Sequence, residues 1–296
     1  MTDTNKRRIV IAGWFSFNLP HNTAGDLLAR QTALTWATKA GYKCDIAVSN
    51  PLASNEVKAD DISPQDYHAI IFVCGPLTES HILPFIRRFK TIKRIALNVS
   101  IVATSDLSKE FDVIIPRDST DTINPDIALA STSDTIPTVG LIYVGRQREY
   151  PGQQHGLVEE MVDAIVRKLG LATVRIDTKL PHNEYGLSSI SQVESVIRHM
   201  DAVITTRLHG SVLSLRNGVP PIAIDPVPQG AKVIKQMQAL DWPLAFTIDK
   251  LNKEKLEKAL TAALSVTSRE LARLTIDKAT RRLSHVETLF INALGS

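Results

Sequence analysis

The chain has 296 residues, 44% of them hydrophobic and 22% charged, and its 34 Lys and Arg against 31 Asp and Glu leave a formal net charge of +3. A disordered chain is excluded, because such chains have too little apolar surface to offset the entropy of ordering, and the dispersed basic residues form no nucleic-acid-binding stripe. No apolar run approaches the ~18 residues of a membrane span, and the two cysteines, Cys44 and Cys74, lie in apolar runs and read as buried thiols rather than a disulfide.

A length of this kind suits two domains of roughly 150 residues each. The first apolar run, RIVIAGW (8–14), reads as a strand; it is too short for the core of a secretory signal, so a cytoplasmic location is expected. A polar loop follows, then a helix over 24–41 closed by Gly41. CDIAVS (44–49), AIIFVCG (69–75), RIALNVSI (94–101) and DVIIP (112–116) read as short strands, with an amphipathic helix over 81–90 between the second and third of them. Strands that are apolar throughout belong in a parallel sheet covered on both faces.

A polar interval after Pro116, rich in Ser, Thr, Asp and Pro, ends in a linker near residue 135. A second series then begins: strand 138–145, helix 155–170, strand 172–177, helix 189–200, strand 201–206, a turn and helix, and strand 220–225. Helices dominate from Lys232 onward, the last running from about Ser268 to Leu294. The expected fold is α/β, with two doubly wound Rossmann-like domains, 1–135 and 136–296, facing a cleft in the arrangement called GT-B.

The stretch TTRLHGSVLSLRNGVP (205–220) carries the clearest chemistry. Arg207 and His209 sit where a strand turns into a helix expected to begin at Gly210, at the carboxyl end of a parallel strand, where such folds bind ligands. Free backbone N–H groups at Gly210 and Ser211 attract an anion, the Arg207 fork suits a carboxylate or phosphate, and His209 exchanges a proton near neutral pH. The bland alternative is that Arg207 pairs with a helix end and His209 caps a turn. A second set of candidates, Arg146, Gln147, Arg148, Tyr150 and His155, follows the first strand of the second series, where a solvated charged loop is the alternative. His182 and Asn183 occupy the next loop, His199 suits a helix C-terminus, and His68 and His81 read as structural or surface groups. Trp14, Phe15, Phe17 and Tyr150 are the aromatic residues best placed to stack on a sugar, while Trp242 anchors the C-terminal helices.

The stretch DAVITTRLHGSVLSLRNGVPPIAID (201–225) resembles the signature of the polysaccharide pyruvyl transferase family: an aspartate-led strand, an Arg-Leu-His-Gly turn, a small-residue helix and a Gly-Val-Pro strand entry. Lys232 is similar to a family lysine in the same region. Asn22, Gly25 and Asp26 are similar to the family's Asn-x-Gly-Asp before its first helix, with Asn22 one residue further away; alternatively Gly25 and Asp26 only start the helix. NVSI (98–101), PRDS (116–119) and PDIAL (125–129) resemble further landmarks. Two features depart from the pattern. Few residues separate Arg117-Asp118 from Pro125-Asp126, where the family inserts a helix and a strand, and Cys74-Gly75-Pro76 replaces a glycine-rich loop.

The resemblance implies transfer of a pyruvyl group from phosphoenolpyruvate to two sugar hydroxyls of a glycan precursor, forming a ketal, with no cofactor besides the donor. In that scheme His209 is the acid or base, while Arg207, Gly210, Ser211, Lys232, Arg146 and Arg148 hold the donor in the C-terminal domain. Asn22, Gly25, Asp26, Tyr150 and His155 meet the acceptor, the N-terminal domain being the acceptor side. Two alternatives remain: a nucleotide-sugar glycosyltransferase of the same fold, and a non-catalytic carbohydrate- or anion-binding protein. No metal-ligand spacing, Walker loop, Gly-x-Gly-x-x-Gly or Gly-x-Ser-x-Gly elbow occurs in the sequence.

Overall fold

The structure is a computed structural model that describes residues 7–18, 22–78, 82–101, 106–145 and 152–295. The chain divides into two compact units, Met1–Asp134 and Thr135–Ser296, each with its own parallel sheet.

In the first unit, β1 (Arg8–Gly13), β2 (Lys43–Val48), β3 (Glu56–Lys58), β4 (Ala69–Val73), β5 (Lys93–Ser100) and β6 (Val113–Asp118) pair in the order β3-β2-β1-β4-β5-β6. Every pairing is parallel. The two faces of β1 show why its residues are apolar without alternation. Ile9 and Ile11 pack with Ala29, Ala33 and Ala37 of α1 (Ala24–Lys39), while Val10 and Ala12 pack with Ile82, Phe85 and Ile86 of α2 (Ile82–Arg87). Small residues four apart let α1 lie close against the sheet.

β6 extends through Pro116 to Asp118, two residues beyond the predicted strand. The short polar interval after β6 is closed by side chains. Arg117 donates from Nη1 to Asp126 at 2.9 Å, from Nη2 to Ser100 Oγ at 2.6 Å and from Nε to Asp118 at 2.9 Å. Asn98, at φ 57°, accepts from Ile127 N and donates to the Pro125 carbonyl, both at 3.0 Å. The three landmarks around residues 98, 117 and 126 thus meet in one cluster.

The second unit contains β7 (Thr138–Ile142), β8 (Ala172–Arg175), β9 (Ala202–Thr205), β10 (Pro221–Asp225) and β11 (Ala245–Thr247), again all parallel, in the order β11-β10-β9-β7-β8. One face is covered by α3 (His155–Lys168) and α7 (Lys253–Ala263), through Val158, Val162, Leu256 and Leu260. On the other face lie α4 (Ile190–Arg198) and α5 (Leu208–Arg216), with α6 (Lys232–Ala239) and the start of α8 (Val266–Leu294) beyond. Trp242 is buried beside Ala272 of α8 and donates to the Pro221 carbonyl at 2.8 Å, so it joins α8 to the sheet. The strand β3 and the strand β11, each of three residues, have no counterpart among the predicted strands. Both sheets are doubly wound, which gives the two Rossmann-like folds expected. Among the described residues no helix is long and apolar enough to cross a membrane.

Candidate functional site

In the second unit the strand order reverses between β7 and β9: from β7 the chain moves outward to β8, then returns to β9 on the other side. Helices leave neighbouring strands toward opposite faces at such a point, so the carboxyl ends of β7 and β9 open into a crevice. Their loops are stitched together, Val144 N donating to Thr206 Oγ1 at 3.0 Å and Thr206 N to the Ile142 carbonyl at 3.1 Å.

Arg207 is the N-cap of α5, which begins at Leu208 rather than at Gly210. His209 therefore belongs to the first helical turn, where backbone N–H groups have no acceptor within the helix. The Thr205 hydroxyl accepts from Arg207 N at 3.0 Å and holds the entry to the helix. Gly210 is buried, and a Cβ there would strike Thr205 Oγ1 and stand 2.9 Å from Ile142 Cγ2. Its absence of a side chain is what lets α5 seat directly on β7 and β9. Ser211 is fully buried, with its hydroxyl turned to the Arg207 carbonyl at 3.5 Å. The Ser211 N–H, expected to be free for an anion, donates to the same carbonyl at 3.1 Å and is spent inside the helix.

Arg207 projects into a cavity of about 620 Å³ between the loop after β8 and helices α4 and α5. Lys179, Arg207, His209 and Lys232 line it, along with Thr178 and an apolar wall that includes Leu180, Val193 and Val212. Among the described residues its only acidic lining residue, Glu194, is engaged by Arg216 at 2.7 Å. The charge balance favours an anion, and the mostly apolar lining favours one that also carries an apolar part. The Arg207 guanidinium is oriented from behind: Nη1 donates to Thr178 Oγ1 at 2.6 Å and meets Asp177 Oδ1 at 3.4 Å. Burial acts to raise the Asp177 carboxyl, but the N–H groups of Lys179 and Glu184 and the charge of Arg207 outweigh it and hold it below the usual carboxylate range. An ionised Asp177 keeps Arg207 in one rotamer, the preorganisation that a bidentate anion clamp needs.

Lys232 is the first residue of α6 and is placed by a carboxylate the sequence reading passed over. Asp225, at the end of β10 and 1% exposed, accepts from Val227 N at 3.2 Å with Oδ1, and from Ala231, Val233 and Ile234 N at 2.7, 3.1 and 3.1 Å with Oδ2. The loop 226–231 is folded around this one side chain, which delivers Lys232 to the cavity rim.

The remaining candidates separate from this group. Arg146, Gln147, Arg148, Tyr150 and His81 lie outside the described residues. His155 is at the start of α3, half-buried, 2.5 Å from Gln153 Oε1, and does not line the cavity; burial pushes its imidazole down, with Glu159 and Asp225 offsetting part of the shift. Asn183 serves its own loop, donating to the Asp177 and Lys179 carbonyls and accepting from Tyr185 and Leu187 N. His199 Nδ1 meets the Ser195 carbonyl at 2.7 Å at the end of α4, and His68 stacks on Tyr42.

In the first unit, Asp26 is committed to a capping box: its Oδ2 accepts from Thr23 N and Oγ1, both at 2.8 Å, while Thr23 Oγ1 accepts from Asp26 N. Asp26 therefore starts α1, the bland alternative for this position, rather than standing free for an acceptor. Gly25 and Asn22 are exposed beside it. Trp14 and Phe15 are buried, 9% and 6% exposed, which rules out the sugar-stacking role expected of them, and Phe17 packs edge-on against Phe85. Burial raises the Cys74 and Cys44 thiols, leaving both protonated core groups. Among the described residues no cluster of three or more His, Cys, Asp or Glu is placed to hold a metal ion.

Sequence reasoning found Arg207, His209 and Lys232 but missed Asp177, Thr178 and Lys179. Their signal was present in DTKLP, directly after β8, at the same strand ends that drew attention to Arg207.

A family model described as polysaccharide pyruvyl transferase matches residues 24–226. No curated protein matches the chain. Similar solved structures include the UDP-GlcNAc 2-epimerase of Methanocaldococcus jannaschii in complex with UDP-GlcNAc and UDP, at 10% identity over 87% of this chain and 92% of that one, TM-score 0.32. The calicheamicin glycosyltransferase CalG4 is 12% identical over 96% and 98%, TM-score 0.36. The glycosyltransferase SnogD from Streptomyces nogalater is 11% identical over 92% and 95%, TM-score 0.32.

Proposed function

The chain belongs to the polysaccharide pyruvyl transferase family, and on that premise we propose that it moves the pyruvyl unit of phosphoenolpyruvate onto two hydroxyls of a sugar. The C2–O bond to phosphate breaks, C2 forms two bonds to sugar oxygens, and the methylene carbon becomes a methyl group by gaining one hydroxyl proton. Phosphate leaves with the other proton. The chemistry requires cations on the donor's carboxylate and phosphate, and a group that moves protons at the enol carbon and the attacking hydroxyl.

The observation that carries this reading is the cationic cavity at the β7 and β9 strand ends, where Lys179, Arg207 and Lys232 gather around His209. Arg207, backed by Asp177 and Thr178, clamps one anionic end of the donor, and the two lysines neutralise the other. His209, exposed in the first turn of α5 and without a hydrogen-bond partner for its ring among the described residues, is the proton carrier. Positioning and electrostatic stabilisation supply the catalysis in this scheme.

The test is calorimetric and thermal-shift titration with phosphoenolpyruvate, beside pyruvate, inorganic phosphate and UDP or GDP, on the wild type and on Arg207→Ala and Lys179→Ala. Selective stabilisation by phosphoenolpyruvate that weakens in both variants is the expected result. A response to a nucleotide diphosphate alone, or to none of the ligands, overturns the donor assignment.

A further inference from the structure

The first half of α8 packs on its own unit, and the second half stands clear of the described residues. Ala272 and Thr275 are buried and Ile276 and Ala279 partly buried, at the three- and four-residue spacing that keeps one helix face toward the body. The same spacing continues through Leu283, Val286, Phe290 and Ala293, so the core-facing stripe runs on past the edge of the unit. From residue 280 to 295 every position is exposed. Leu283, Val286, Leu289, Phe290, Ile291 and Leu294 are each more than half exposed, Leu294 reaching 72%.

An isolated helix of about 15 residues is marginal in water, and a contiguous apolar patch on it marks a binding surface. Charge narrows the choice of occupant. The face opposite the stripe carries Ser284, Thr288 and Asn292 with Arg281 and His285, far short of the basic face by which an interfacial helix holds a membrane. The neighbouring cations are bound to the unit itself: Lys278 Nζ donates to Asp241 Oδ2 at 2.6 Å, and Arg282 Nη1 to the Ala239 carbonyl at 2.5 Å. An uncharged stripe offers nothing to select an acidic or a basic partner, whereas it is complementary to a copy of itself.

We propose that the far half of α8 is a homodimer interface, occupied by the same segment of a second copy running antiparallel. A parallel partner on this face would run back into the unit on which α8 already packs, and an antiparallel one avoids it. A two-fold axis beside residue 288 sets Phe290 against the partner's Val286 and Leu283 against the partner's Ala293, large against small, as interdigitated packing requires. Glu287 flanks the stripe on both copies, so Glu287→Gln should tighten the pair by about 2-fold. About 22 Å of helix on each copy buries about 1,000 Å² in total, the lower limit for a specific interface, so association is expected at micromolar concentration. The proposal is independent of the donor and of the reaction.

Sedimentation equilibrium of the full chain between about 1 and 200 µM tests it. A shift from one chain mass toward two across that range is the expected result. Leu283→Glu combined with Phe290→Glu should weaken association by at least about 100-fold, because like charges then face each other across an apolar contact. Arg281→Glu, on the opposite face, should leave it within about 2-fold. At 1 µM, where the chain is monomeric, both variants should melt within about 2 °C of the wild type. A clearly lower melting temperature for the double variant means that the stripe is covered within its own chain, and overturns the proposal. Orientation is read by oxidising an equimolar mixture of Leu283→Cys and Ala293→Cys proteins, the native Cys44 and Cys74 being buried. Disulfide-linked dimer should form in the mixture and not in either protein alone; Ala293→Cys linking to itself indicates a parallel pair and overturns the arrangement. Monomer at every concentration, association undiminished in the double variant, or binding of a monomeric chain to phosphatidylglycerol vesicles overturns the proposal.

Discussion

Replacing Asp225 by Ala removes the acceptor of four backbone N–H groups at the entrance to α6. Loss of a helix cap costs about 0.5–2 kcal/mol. The interaction of a carboxylate with the N-terminal end of a helix adds about 0.3–2 kcal/mol. Val233 N, on a residue only 2% exposed, is left without an acceptor and contributes about 1–3 kcal/mol more. These effects overlap, so a total of about 3–4 kcal/mol is expected, which lowers the melting temperature of a unit of this size by about 10 °C. Asp225→Asn keeps an oxygen for the α6 donors but loses the charge and turns an amide NH₂ toward Val227 N, for about 1–2 kcal/mol. Calorimetric melting gives the magnitude, and amide hydrogen exchange localises it: protection should fall across 226–234 before it falls in β7 or β9. Since Lys232 opens α6, phosphoenolpyruvate affinity should fall with it. Unchanged exchange across 226–234 in Asp225→Ala, with melting within about 2 °C of the wild type, would refute the role given to this carboxylate.

Gly210→Ala drives a methyl group into Thr205 Oγ1 and to within 2.9 Å of Ile142 Cγ2, so overpacking of about 1–3 kcal/mol outweighs the ~1 kcal/mol of helix propensity gained. Melting should drop and phosphoenolpyruvate binding weaken together, because the shifted helix carries His209; a stabilised variant would contradict the close seating of α5. His155 has a folded-state value below the ~6.5 of the unfolded chain, so the unfolded state takes up the proton first and stability falls as pH drops below about 6.5 toward that folded value. His155→Gln should therefore flatten the decline in melting temperature between about pH 7.5 and pH 5.5, and an unchanged slope would count against the buried neutral imidazole.

The sequence by itself determined whatever depends on neighbours along the chain. Apolar runs such as RIVIAG and AVIT read as strands covered on both faces, Gly25 and Asp26 offered the start of α1 as one of two readings, and the Arg-Leu-His-Gly turn marked the carboxyl end of a parallel strand as a candidate ligand site. What it left open are contacts between residues far apart in the chain, since no local pattern encodes strand order. Asp177 meets Arg207 across 30 positions because β8 and β9 flank β7, and only that arrangement turns an unremarked DTK into the brace of the Arg207 side chain. Asp225 read as the last residue of a strand, and its burial against the first turn of α6 depends on how the 226–231 loop folds back. The three-residue strands β3 and β11 are too short to show a period and exist because a neighbouring strand offers them a free edge. Tertiary structure likewise gathers Lys179, Arg207, His209 and Lys232, dispersed along the chain, around one cavity.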